Sequence, residues 1–190
     1  MQLSRPLVLA SNSPRRQQLL REAGFDFRVD VRPTDELFPA DLPVAEVAAY
    51  LAHHKAEQFR PDLADQLILC ADTIVVVDND ILNKPADADE AARMLRQLSG
   101  RAHQVMTGVC LLSSEGPVTL TDVATVVFRD LTENMIAYYI DHYRPFDKAG
   151  AYGVQEWIGM VGIERIEGSF YTIMGLPVHR VYDLLKPYLR

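Results

Sequence analysis

Leu7-Val-Leu-Ala-Ser-Asn-Ser-Pro-Arg-Arg16 passes from an apolar run straight into the start of a helix. Ser13 has the side chain of an N-cap, and Pro14 suits the first helical position. Gln17, Leu19, Leu20 and Ala23 continue the helical pattern, and Gly24 is its stop. Arg15 and Arg16 therefore fall in the first turn, where the helix dipole favours anions over cations. Backbone N–H groups and two guanidinium forks directed at one place have the chemistry of a phosphate site, with Ser11 at its edge. Taken alone, the segment reads equally well as two solvated arginines on a surface helix, and the rest of the chain has to decide.

Around it lie 190 residues, 48% hydrophobic and 24% charged. That length and composition describe a globular protein with a real core, arranged as one large or two small α/β lobes. No apolar run has the length of a membrane span, and the N-terminus lacks the pattern of a signal peptide, so a cytoplasmic location without membrane partners is expected. Cys70 and Cys110 lie in apolar runs and read as reduced core residues, which agrees with that compartment. A net charge of −7 argues against nucleic acid as a partner but leaves room for a small anion held by a few local cations.

Residues 25–31 alternate apolar and polar and read as a strand, and 33–42 as a loop carrying Asp35, Glu36 and Asp41. Apolar residues at 44, 47, 48 and 51 predict a helix over 44–59. The run 67–77 is broken only by Asp72 and Thr73. Asp78-Asn-Asp80 then predicts a hairpin between 75–77 and 81–82. Asp87 and Glu90 resemble a capping box for a helix through Leu98, ended by Gly100. Strands are expected over 105–112 and 118–128, a helix capped by Thr132 to about residue 143, two further strands over 160–166 and 170–174, and a last helix after Gly175-Leu-Pro177. Several strand pairs look like hairpins, so the expected architecture is α/β with a mixed sheet and flanking helices.

Asp72 is the sharpest single residue, because a carboxylate inside an apolar run must be hydrogen-bonded, paired, metal-bound or at a strand end facing a ligand. A structural Asp capping a turn is the bland alternative. Lys84, held extended by Pro85, and Lys55, on the helix after His53-His54, each read alone as ordinary surface cations. The adjacent histidines point in different directions, with no partner at metal-ligand spacing. Glu36 is a loop carboxylate of the type Mg²⁺ accepts if phosphates are bound nearby. In Asp147-Lys-Ala-Gly-Ala-Tyr-Gly-Val-Gln155, small residues admit a close ligand, Lys148 adds a cation, and the Gln155 amide could read a base edge. A tight connection with an internal Asp147–Lys148 contact fits the same letters.

Together these segments resemble the Maf family of nucleotide pyrophosphatases. The matching pieces are Ser11-Asn-Ser-Pro-Arg-Arg16, Asp35-Glu36, Lys55-Ala56, Ala71-Asp-Thr-Ile-Val75, Lys84-Pro85, Met94-Leu-Arg-Gln-Leu-Ser-Gly100, His103 with Thr107-Gly108, Asp147 to Gln155, and Ile166-Glu-Gly-Ser-Phe170 with Gly175-Leu-Pro177. The resemblance implies one domain over 1–190. It also implies a mixed α/β fold of two lobes around a central cleft, similar to the inosine triphosphate pyrophosphatases, and a homodimer. It implies hydrolysis of a nucleoside triphosphate to the monophosphate and pyrophosphate with a divalent metal, Mg²⁺ or Mn²⁺. Thr73 and Gln155 look like the subgroup acting on dTTP and UTP, whereas the 7-methylguanosine triphosphate subgroup reads Ser-Asp-Gln around the aspartate. Glu156-Trp157-Ile158 stands where related sequences often have glycines.

On that resemblance Asp72 is the expected general base, and Ser11, Arg16, Lys55 and Lys84 hold phosphate. Arg15, Thr73 and Gln155 select the base, and Glu36 with Asp72 holds the metal, a role that competes with basicity at Asp72. Two other readings stand beside it. One is a non-catalytic nucleotide-binding regulator of cell division. The other is a single-strand binder using Phe170, Tyr171 and Trp157, which the acidic charge disfavours.

Overall fold

The computed structural model describes residues 1–190. Its strands are β1 (Leu7–Leu9), β2 (Arg28–Val29), β3 (Leu67–Val77), β4 (Asp80–Leu82), β5 (Ala102–Ser113), β6 (Gly116–Phe128) and β7 (Ile163–Glu167). The helices are α1 (Pro14–Glu22), α2 (Val44–Glu57), α3 (Ala88–Leu98), α4 (Glu133–Tyr143), α5 (Trp157–Gly162), α6 (Phe170–Ile173) and α7 (Val178–Leu185). One seven-stranded sheet runs in the order β2-β1-β3-β5-β6-β7, with β4 paired to β3. It is mixed: β1 is parallel to β2 and β3, while β3–β4 and β6–β7 are antiparallel.

The helix starts follow the side chains that cap them. Ser13 Oγ accepts the Arg16 N–H at α1, Asp87 Oδ1 accepts Glu90 N–H at α3, and Thr132 Oγ1 accepts Met135 N–H at α4. The β3–β4 hairpin forms where Asp78 and Asn79 take positive φ, as a two-residue turn of mirror-image type requires. β5 and β6 extend beyond the expected ranges and meet across Ser114-Glu115, where Ser113 Oγ accepts the Glu115 N–H.

Four segments depart from the sequence pattern. The 25–31 strand shrinks to Arg28–Val29, because its partner β1 is only three residues long and pairs just Val8 with Arg28 and Leu9 with Val29. Phe25 instead turns under the end of α1, its N–H on the Leu20 carbonyl. Residues 160–166 do not form a strand throughout. Ile158 and Gly162 are buried four apart while Met160 is exposed, a helical spacing, so α5 precedes β7. Residues 170–174 close on themselves through Met174 N–H to Phe170 O, giving the single turn α6. α2 stops at Glu57, two residues early, where a 3₁₀ turn over Arg60–Asp62 begins.

The chain divides into two compact units. The first comprises Met1–Asp72, Thr107–Asp122 and Gly175–Arg190, and the second Thr73–Met106 and Val123–Met174. In the first, Val8, Ala10, Ala52, Ala56, Phe59, Ile68, Cys70, Cys110 and Leu112 form an apolar core, and both cysteines are buried free thiols. α2 lies so close on β5 that a Cβ at Gly108 would stand 2.1 Å from the Ala48 carbonyl oxygen. In the second, α3 and α4 cover a larger core that includes Leu95, Leu98, Val126, Phe128, Ile136 and Tyr139. No helix is long and apolar enough to cross a membrane.

Candidate functional site

In the first unit, Asp72 ends the β3 residues that belong to it and is buried, 8% exposed. Burial obliges the carboxylate to find a partner, and Asp72 Oδ1 receives the Lys55 ammonium. Lys55 comes from the last turn of α2, where the helix dipole favours a cation. The same Nζ donates to Glu36 Oε1 at 3.0 Å, so one lysine is bracketed by two carboxylates from different segments. Beside it, Asp35 Oδ1 lies 3.2 Å from His54 Nε2, which places His54 in a surface hydrogen bond on a polar helix face.

The start of α1 supplies the other charge. Arg16 is half-buried, with Nε donating to the Gly175 carbonyl at 2.7 Å and NH1 to Ser11 Oγ at 3.4 Å. Burial pulls the Arg16 guanidinium below its ordinary value; Asp72 and Glu36 oppose that pull, and Arg15 adds to it. Asp72, Glu36, Arg15 and Arg16 therefore share one electrostatic neighbourhood. Of the expected residues, Ser11, Arg15, Arg16, Glu36, Lys55 and Asp72 belong to this unit and come together there.

The other three belong to the second unit. Thr73 follows Asp72 on β3 and is half-buried; Lys84 and Gln155 are exposed. The segment carrying Lys84 and the 147–155 loop are tied by Gly150 N–H to the Asn83 carbonyl at 3.2 Å. Gly150 has φ +68°, and a Cβ there would meet Val75 Cγ1 at 2.9 Å, so the loop seats on β3 only with glycine at this position. Lys148 is buried and pairs with Asp147 at 2.7 Å, as one sequence reading expected, and also with Glu156 at 3.1 Å.

Two anchors of this loop were not read as anchors in the sequence. Tyr152 packs edge-on against Phe128, and its hydroxyl lies 2.7 Å from His103 Nε2. His103 is buried, and burial alone lowers it to about 4, so it is neutral. Tyr139 OH donates to Glu156 Oε2 and accepts the Gly153 N–H at 3.0 Å. Its helical phase with Ile136 and Ile140 was the available signal, since a buried tyrosine needs a partner for its hydroxyl.

What the arrangement can do chemically is hold anions and move a proton. The first unit offers a helix start, two arginines and a lysine for phosphate oxygens, and one buried carboxylate directed by that lysine. No group of three or more His, Cys, Asp or Glu side chains forms a closed metal cage. Two carboxylates converging on one point are hard oxygen donors of the kind Mg²⁺ or Mn²⁺ takes when phosphates and water complete its shell.

A family described as Maf-like protein matches residues 6–188. A dTTP/UTP pyrophosphatase of Bacteroides thetaiotaomicron is 49% identical over 182 residues, 95% of this chain and 94% of that one. One from Cytophaga hutchinsonii is 48% identical over 180 residues, 95% of this chain and 83% of that one. Among solved structures, a HAM1 protein from Coxiella burnetii overlaps 65% of this chain and 73% of that one at 20% identity, with a TM-score of 0.41, too low to argue from.

Proposed function

The chain belongs to the Maf family, and from that premise we propose that it is a nucleoside triphosphate pyrophosphatase, hydrolysing dTTP and UTP to the monophosphate and pyrophosphate. In this reading residues 1–190 act as a single domain, a homodimer in the cytoplasm. The observation that carries the mechanism is the buried Asp72 held by Lys55, with Glu36 and Arg16 in the same neighbourhood.

Lys55 takes Asp72 Oδ1 and leaves the second carboxylate oxygen to accept a proton from water attacking the α-phosphorus. The bond between the α-phosphorus and the bridging oxygen breaks, and pyrophosphate leaves with that oxygen's charge. Arg16, Lys55 and Lys84, with Ser11, bind phosphate oxygens and stabilise the charge that develops on them. The Gly175 carbonyl fixes Arg16 Nε, so its terminal nitrogens are presented in one direction. Arg15, Thr73 and Gln155 select the pyrimidine, since a site built to hydrogen-bond one base edge rejects bases that lack it. Glu36 and Asp72 are the residues suited to hold Mg²⁺ or Mn²⁺, which when bound neutralises phosphate oxygens and polarises water.

The test is direct. Incubation of the protein with dTTP or UTP and Mg²⁺ is expected to release stoichiometric pyrophosphate and monophosphate. Absence of pyrophosphate from every nucleotide of a broad panel overturns the proposal.

A further inference from the structure

The 147–155 loop ends in a closed turn: Glu156 N–H bonds the Gly153 carbonyl at 3.0 Å, with Val154 and Gln155 at its two corners. The corners differ sharply. Val154 is 5% exposed and part of the second unit's core, whereas Gln155 is exposed. A turn sunk at one corner can place the other only if it does not rock about the buried one.

We propose that Glu156, acting through the Tyr139 hydroxyl, is the positioning residue that fixes Gln155 for base selection; this rests on the pyrophosphatase reading above. Its side chain is largely buried, 18% exposed, and both carboxylate oxygens are engaged. Oε1 lies 3.1 Å from the buried Lys148 ammonium, and Oε2 accepts the Tyr139 hydroxyl proton. That hydroxyl in turn accepts the Gly153 N–H at 3.0 Å. Glu156 therefore grips Gly153 twice, from its own backbone N–H to the carbonyl and from its carboxylate through Tyr139 to the N–H. The ring Gly153–Tyr139–Glu156 spans the turn, and Gln155 is the one exposed residue inside it. Burial and the neighbouring carboxylate both push the Tyr139 hydroxyl well above its ordinary value, so it keeps its proton and remains the donor. A Cβ at Gly153 would meet Glu156 Cδ at 2.8 Å, which shows how closely the two ends of the turn approach.

The experiment uses the full chain and three variants: Glu156→Gln, Tyr139→Phe, and Leu95→Ala as a control that loosens the same unit's core away from the turn. Pyrophosphate release is measured with dTTP, UTP and dCTP, and amide hydrogen exchange without nucleotide. Expected is a fall of about tenfold in the dTTP-over-dCTP ratio of kcat/KM for both turn variants, carried by the KM for dTTP, with kcat within about twofold. Leu95→Ala keeps the parent ratio. An unchanged ratio in both turn variants overturns the inference, as does an equal fall in the control. If the parent protein turns over no nucleotide, the pyrophosphatase reading fails, and the exchange measurement decides the anchoring alone. Faster exchange of the Gly153 and Glu156 amides in Glu156→Gln supports it, and parent-like exchange overturns it.

Discussion

Asp72 and His103 show how burial assigns work to single side chains. Asp72 interrupts the apolar run of β3 and is held there by Lys55. Asp72→Asn keeps the size and loses the proton acceptor, so kcat is expected to fall by about 10²–10⁴. Binding of dTTP, followed by calorimetry, should persist. His103, between Phe128 and Tyr152, sits at about 4, below the ordinary value near 6.5. Between those two values the unfolded chain takes up a proton that the folded one does not. Stability is therefore full above about pH 6.5 and declines as pH falls toward 4, by about 3 kcal/mol in all. Thermal melts from pH 7.5 to 4 should show this slope, and His103→Gln should flatten it. Asp72 was legible in the sequence because a carboxylate in an apolar run demands an explanation. The anchor of Arg16 was not, because its acceptor is the main-chain carbonyl of Gly175, 159 residues away, and a backbone oxygen has no letter of its own.

Among the elements, α2 carries Lys55 to Asp72 because nothing larger than hydrogen stands at Gly108 beneath it. Gly108→Ala must lift α2 from β5. The expected cost is at least about 1–3 kcal/mol of stability, with a further loss of kcat/KM as Lys55 shifts from Asp72. Denaturant unfolding and pyrophosphate release measure the two effects separately. Elements whose signal is local were legible: the caps Ser13, Asp87 and Thr132, and the Asp78-Asn79 turn that pairs β3 with β4. Those whose form depends on a partner were not. Residues 25–31 alternate like a strand, yet β1 offers too few residues to pair with them. Residues 160–162 finish a helix whose buried face is set by Ile158.

At the scale of the whole molecule, each unit is assembled from separate stretches of chain, and β3, β5 and β6 each contribute residues to both. That is why no linker or change of composition marked a boundary: the division falls inside continuous strands. Removal of residues 175–190 takes Leu176, Val181 and Leu185 out of the first unit's interior and the Gly175 carbonyl from Arg16. Burial of three such side chains is worth roughly 5–9 kcal/mol, a large part of the about 5–15 kcal/mol that holds an ordinary domain together. The shortened chain is expected to lose cooperative unfolding by circular dichroism and all pyrophosphate release.

The same discontinuity bears on synthesis. A ribosome delivers Gly175 159 residues after Arg16, on the order of ten seconds later at about 5–20 residues per second. Until Gly175 emerges, the guanidinium lacks the carbonyl that holds its Nε, whatever the nascent chain has already folded. Full anchoring of Arg16 is thus a late event of synthesis, reached only once residue 175 has been added to the chain.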